Sequence, residues 1–215
     1  MSVYIIEEEL YFPAPEKAAE DGLLAIGGDL SAERLLLAYK SGIFPWFNEG
    51  SPILWWSPDP RMVLFPEEVK ISKSMRKVLK SKAFTLTKNT CFKEVVKKCA
   101  SIKRKDEEGT WITEEMIHAY VTLKEKGKAL SYEVWENGQL VGGLYGVDLG
   151  TVFCGESMFS SQSNASKYAF IKMVQEFKEK GYSLIDCQMY TPHLERLGAR
   201  EIPREDFLRH LKDMR

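Results

Sequence analysis

Soft metal ligands are few in this chain and far apart. Cys91, Cys99, Cys154 and Cys187 form no CxxC pair, and His118, His193 and His210 form no cluster with them. A zinc site is therefore not expected, and reduced thiols in a cytosolic protein are the default reading. No stretch approaches the ~20 apolar residues that a membrane span needs. The opening MSVYIIEEELYFPAP lacks the basic start and long apolar run of a signal peptide. Net charge is nearly absent as well: 30 Lys and Arg stand against 31 Asp and Glu, a balance of −1. A nucleic-acid surface would have to come from local basic patches. No internal repeat, no low-complexity tract and no G-x-S-x-G nucleophile turn is found.

What is present reads as an ordinary globular chain, with 44% hydrophobic and 28% charged residues over 215 positions. That length holds one domain or two small ones and buries a core without disulfide or metal support. The segment from Tyr39 to Pro60, YKSGIFPWFNEGSPILWWSPDP, carries three of the five tryptophans, two phenylalanines and a tyrosine. Its glycines and prolines rule out a long helix. Large rings on irregular backbone either fill a core or offer a stacking face to a flat ligand such as a nucleobase, and the segment alone leaves both open.

Beyond residue 60 the pattern becomes regular, which predicts a small N-terminal domain over 1–61 and a larger α+β domain over 62–215. Asp29, Leu30 and Ser31 open a helix to Lys40, stopped at Gly42, and Ser72 opens a basic amphipathic one. A short strand over Ala83–Thr87, a helix over Phe92–Ala100 and a helix from Thr113 to Lys126 follow. Asn137-Gly138 between two alternating runs signals a tight hairpin. A further strand over Thr151–Ser157, a long helix capped by Asn164, a strand over Ser183–Gln188 and a helix from Pro203 complete the chain. A meander, a helix and one more strand is the order of acetyltransferase-like (GNAT-type) folds, with a mixed, mainly antiparallel sheet. The Q/R-x-x-G-x-G/A turn that holds coenzyme A in such folds is missing, and SSQSNASK stands in its place.

Several side chains have chemical potential. Asp186 and Gln188 lie two apart on LIDCQ, a spacing that puts both on one strand face. Aimed into a cleft, the pair could relay a proton; otherwise Asp186 only fixes a neighbouring loop. Glu156, in FCGESMFS, suits a cationic side chain or is a structural carboxylate. Phe170, Met173 and Phe177 share one helix face, which Leu144, Met158 and Ile185 can close into an apolar cup, or which is simply core. Lys73, Arg76, Lys77 and Lys80, with Lys70 and Lys82 beside them, form a basic face that is either solvated or bound to phosphates. Lys97, Lys98, Lys103, Arg104 and Lys105 extend it until Asp106, Glu107 and Glu108 interrupt.

GLLAIGGDLSAERLLLAYKSGIFPWF, PILWWSPDPR, GTWIT, LVGGLYGV, FCGESMFS, NASK and LIDCQ together resemble the bacterial leucyl/phenylalanyl-tRNA–protein transferases, from about Phe12 to Arg215. The resemblance implies an aminoacyltransferase that moves leucine or phenylalanine, and less readily methionine, from charged tRNA to proteins beginning with Lys or Arg, marking them for degradation. It implies no cofactor or metal, a cytoplasmic monomer and no membrane partner. By the same resemblance Asp186 and Gln188 are catalytic, with Gln188 oriented by Asp186 and contacting the amine. Glu156 then binds the acceptor. Leu144, Met158, Phe170, Met173, Phe177 and Ile185 form the donor amino-acid pocket; Leu144 and Met173 depart from the common Met and Phe. Trp46, Tyr39 and Trp111 lie at the tRNA's terminal adenosine, and the basic face of Lys73, Arg76, Lys77 and Lys80 meets the tRNA backbone. Trp55 and Trp56 are left to the core. An acyl-CoA-dependent N-acetyltransferase and a non-catalytic RNA-binding module are the rival readings.

Overall fold

The computed structural model describes residues 3–102 and 110–212. Lys103, Arg104, Lys105 and the acidic run after them lie outside the described residues, so their part of the basic patch stays an expectation from sequence. The N-terminal stretch folds as β1 (Tyr4–Ile6), β2 (Leu23–Gly27), α1 (Ala32–Lys40), β3 (Phe44–Pro45) and β4 (Leu54–Trp56). These strands form one four-stranded sheet, ordered β1-β2-β4-β3. The aromatic segment is therefore less irregular than its glycines and prolines suggest. Ser31 caps α1 by accepting from the Arg34 N–H, the role its hydroxyl predicts.

The rest of the chain runs β5 (Arg61–Leu64), α2 (Lys73–Lys80), β6 (Thr85–Lys88), α3 (Phe92–Ser101), α4 (Glu114–Glu125), β7 (Ala129–Glu136), β8 (Gln139–Asp148), β9 (Val152–Ser160), α5 (Ala165–Glu179), β10 (Leu184–Gln188), α6 (Pro192–Arg196), β11 (Arg200–Ile202) and α7 (Arg204–Lys212). Ser72 and Thr113 cap α2 and α4 through their side chains. Asn137 and Gly138 both take positive φ, 50° and 76°, as a two-residue hairpin turn requires. The Asn164 cap is corrected: its backbone is left-handed at φ 69° and its side chain caps nothing. Ser160 Oγ instead accepts from the Ser166 N–H at 3.2 Å.

β11-β5-β10-β9-β8-β7-β6 form a seven-stranded sheet. Only β10 and β9 pair in parallel, joined through α5, and the other neighbours are antiparallel. This is the expected α+β, acetyltransferase-like order of meander, helix and parallel strand. Side chains alternate between the sheet's two faces. Leu144, Phe153 and Ile185 join the core under α2 and α5. Tyr145, Cys154 and Leu184 join the opposite core, which is continuous with α3, α4 and the whole N-terminal sheet. No helix among the described residues is long and apolar enough to cross a membrane.

Candidate functional site

The parallel β9–β10 ladder stops at the Cys154–Asp186 pair, yet β9 runs on to Ser160 and β10 to Gln188. The two strands part there, and a cavity of about 560 Å³ opens between them. Its floor is apolar: Leu144, Phe153, Met158, Phe170, Met173 and Ile185 line it. Phe44, Pro45, Trp46 and Trp111 form the bank on the N-terminal side, and Met189, Tyr190, Thr191 and His193 the opposite one. Trp46, Met189 and Tyr190 are among the exposed large apolar side chains, a rim suited to a ligand's flat or greasy parts. The Trp56 indole N–H holds the Trp46 carbonyl at 2.7 Å, and the two rings lie 5.7 Å apart. Burial, with Lys167 and Arg196 nearby, lowers the His193 pKa and keeps that imidazole neutral at physiological pH.

Two polar groups interrupt the apolar wall. Glu156 is almost wholly enclosed, and burial raises its pKa to about 7. Its Oε1 accepts from Gln188 Nε2 at 2.8 Å, and its Oε2 accepts from the Tyr120 hydroxyl at 2.6 Å. Gln188 sits in a register shift of β10 with φ at 64°, a conformation rare outside glycine. Its backbone N–H donates to Asp186 Oδ1 at 2.9 Å. Asp186 itself is off the cavity wall. Both its oxygens accept from Arg61, at 2.8 Å each, and both residues are 1% exposed. Arg61 also donates to the Gly42 carbonyl at 3.2 Å and lies over the Phe44 and Phe207 rings. One buried ion pair thus joins the strand that carries Gln188 to the loop before β3, the strand that leads on to Trp46.

The cavity brings together Gln188, Glu156, Trp46, Trp111, Leu144, Met158, Phe170, Met173 and Ile185. Three expected placements are corrected. Asp186 does not share Gln188's outlook, because the bulge after it breaks the period of two. Phe177 lies one layer behind the wall, fully buried between Phe153 and Tyr182. Tyr39 is also fully buried, and its hydroxyl meets that of Tyr120 at 2.5 Å instead of lining the cavity. Lys73, Arg76, Lys77 and Lys80 are exposed on α2 and form no ion pair with a described residue. Trp55 is core, as expected, whereas Trp56 is half-buried.

The sequence motif of leucyl/phenylalanyl-tRNA protein transferases matches residues 63–212, and the motif of their N-terminal domain matches residues 28–59. The chain belongs to the leucyl/phenylalanyl-tRNA protein transferase family. It is an aminoacyltransferase. Relatives carrying that name come from Flavobacterium johnsoniae (61% identical, covering 98% of this chain and 99% of that protein) and Pseudomonas fluorescens (53%, covering 98% and 94%). Distant likenesses among solved structures include a GCN5-related N-acetyltransferase-like protein from Streptococcus suis. That match is 11% identical at a TM-score of 0.39 and spans 75% of this chain and 59% of the other. A GCN5-related N-acetyltransferase from Kribbella flavida is 11% identical at a TM-score of 0.37, spanning 77% and 59%.

For a transferase of this family the sequence reading misses Phe44, Tyr145, Phe153 and the bank after Gln188 as parts of the wall. Phe153 lies within an apolar strand whose pattern looks the same as core. Met189 and Tyr190 carry a usable signal: two large apolar residues directly after a short buried strand, just before the Thr191-Pro192 helix start.

Proposed function

We propose that this chain transfers leucine or phenylalanine, and less readily methionine, from charged tRNA to the α-amine of proteins that begin with Lys or Arg, and that the product is marked for degradation. The observation that carries this reading is a single cavity with an apolar floor, aromatic rings on one bank and the Glu156–Gln188 pair in its wall. The apolar floor suits the donor's side chain, and Met158 and Met173 adapt to branched or flat shapes alike. Phe177 supports that floor from behind. Trp46 stacks on the terminal adenine, with Trp111 beside it. Asp186 acts through Gln188, fixing the backbone that presents the amide.

An aminoacyl ester is already activated, so the protein's task is placement. The acceptor arrives as an ammonium and must lose one proton, to the surrounding water, to become a nucleophile. Its nitrogen then attacks the ester carbonyl, the bond to the ribose oxygen breaks, and the second proton released by nitrogen ends on that oxygen. Gln188 receives the amine by hydrogen bonding. Glu156 uses one lone-pair site on each oxygen for Gln188 and Tyr120, and the remaining sites face the acceptor's cationic side chain. The basic face of α2 meets tRNA phosphates without reading sequence, so binding weakens with salt. The chain acts alone as a monomer in the cytoplasm.

Purified protein, leucyl-tRNA and a peptide beginning with Arg should yield a leucyl-peptide, and a peptide beginning with Ala should stay unmodified. Coenzyme A binding seen by calorimetry, with no leucine transfer, would instead favour an acyl-CoA enzyme. Trp46→Ala should raise the donor KM by roughly 5- to 150-fold, the equivalent of ~1–3 kcal/mol of stacking, and leave kcat near its normal value. An unchanged donor KM removes the stacking role.

A further inference from the structure

We propose that Tyr120, backed by Tyr39, is a positioning residue that acts through Glu156 to hold the Gln188 amide with its carbonyl oxygen free for the cavity. The inference rests on the reading above that Gln188 meets the incoming amine. Neither tyrosine touches the cavity, and both are buried, on α4 and α1. Two phenylalanines would fill the same space without burying hydroxyls, whose desolvation is costly when unpaired. These hydroxyls are paired only in a line that ends on Glu156.

The direction of that line follows from proton counting. An ionised carboxylate only accepts. Tyr120 must therefore spend its single proton on Glu156 Oε2, and the 2.5 Å contact must be Tyr39 donating to Tyr120. The same rule orients Gln188. Only its Nε2 can donate to Glu156 Oε1, so the amide oxygen points away. Among the described residues no group donates to that oxygen, which remains the amide's free acceptor. A chain of donors from α1 through α4 to β9 thus fixes an amide on β10. Because Tyr39 lies at the end of α1, the line ties that helix end to the acceptor group.

The line depends on Glu156 being charged. The titratable groups around it are Tyr120, which donates to its charged form, Tyr39, which donates to Tyr120, Asp186, whose charge Arg61 matches, and Cys154. Tyr145 lies edge-on to Tyr120 at 5.3 Å, and neutral His193 stands across the cavity. Donation from Tyr120 lowers the Glu156 pKa against the larger effect of burial. Loss of that hydroxyl must therefore raise the pH at which Glu156 ionises.

The test uses the full chain carrying 13C-carboxyl glutamate, with the Glu156 signal assigned through Glu156→Gln. In the wild type the signal should titrate near pH 7, and in Tyr120→Phe roughly one unit higher. At pH 7 that shift lowers the ionised fraction, and with it kcat for leucine transfer, by about fivefold. The loss should shrink toward pH 9, and the donor KM should not move. Tyr39→Phe should shift both readouts the same way by less, and it carries the test if Tyr120→Phe does not fold. A Glu156 titration unmoved by the substitution overturns the proposal. So does a moved titration with an unchanged pH profile of transfer. A wild-type protein that transfers no leucine brings down the functional reading instead, while the titration still reports whether Tyr120 sets the charge of Glu156.

Discussion

Asp186→Ala is expected to cost about 3–5 kcal/mol of folding stability, the usual penalty for removing one partner of a buried ion pair. Asp186 and Arg61 are each 1% exposed and joined by two bonds of 2.8 Å. Truncating the aspartate leaves a guanidinium enclosed by the Phe44 and Phe207 rings with only the Gly42 carbonyl to satisfy it. Heat denaturation of a chain this size should shift down by roughly 10 °C. Turnover should fall as well, because the Gln188 N–H loses the oxygen that holds it in its left-handed conformation. The double variant Arg61→Met, Asp186→Leu separates the two effects. It should regain most of the stability, since a well-packed apolar pair replaces a buried ionic one at little cost, and should not regain turnover. A single variant within about 1 kcal/mol of the wild type would show that water reaches this pair and that it is no keystone.

Gln188→Ala should leave the fold intact and lower kcat by about 100-fold, the scale of losing one preorganised polar group at a reacting centre. The residue is partly exposed on the cavity wall, and among the described residues its side chain bonds only to Glu156. Its loss therefore opens no cavity in the core. Donor KM should hold, because Trp46 and all of the apolar floor except Ile185 lie on other elements. Gln188→Glu is a sharper variant. It sets a second carboxylate against Glu156, raises the pH at which the pair ionises fully, and should move the acid limb of the rate profile upward. Single-turnover transfer with pre-bound leucyl-tRNA reads both. A Gln188→Ala protein with full kcat and a raised acceptor KM would assign Gln188 to acceptor affinity alone.

Much of the fold was legible because its signals are local. Ser31, Ser72 and Thr113 cap helices where their hydroxyls sit, and Asn137-Gly138 turns a hairpin. The N-terminal sheet was not legible. Its strands are two to five residues long, and their pairing joins Leu23 to Trp56 and Tyr4 to Ala25. No periodicity appears in segments so short, and the pairing energy comes from residues far along the chain. β5, α6 and β11 were missed for the same reason.

The site divides along the same line. By itself the sequence determined the family and put forward the candidate residues: Glu156, Gln188, the aromatic loop and the apolar face of α5 all stand in its motifs. Only the tertiary structure decided which of them meet. The spacing of Asp186 and Gln188 promises a shared face, but the Arg61 guanidinium, brought from 125 positions away, draws Asp186 inward. The aspartate's own oxygen then holds the Gln188 backbone in a turn no residue pattern encodes. Tyr39 and Tyr120, 81 positions apart, meet behind Glu156 for a comparable reason. Buried hydroxyls and charges settle where partners from other elements satisfy them, and that requirement acts through space, not along the chain.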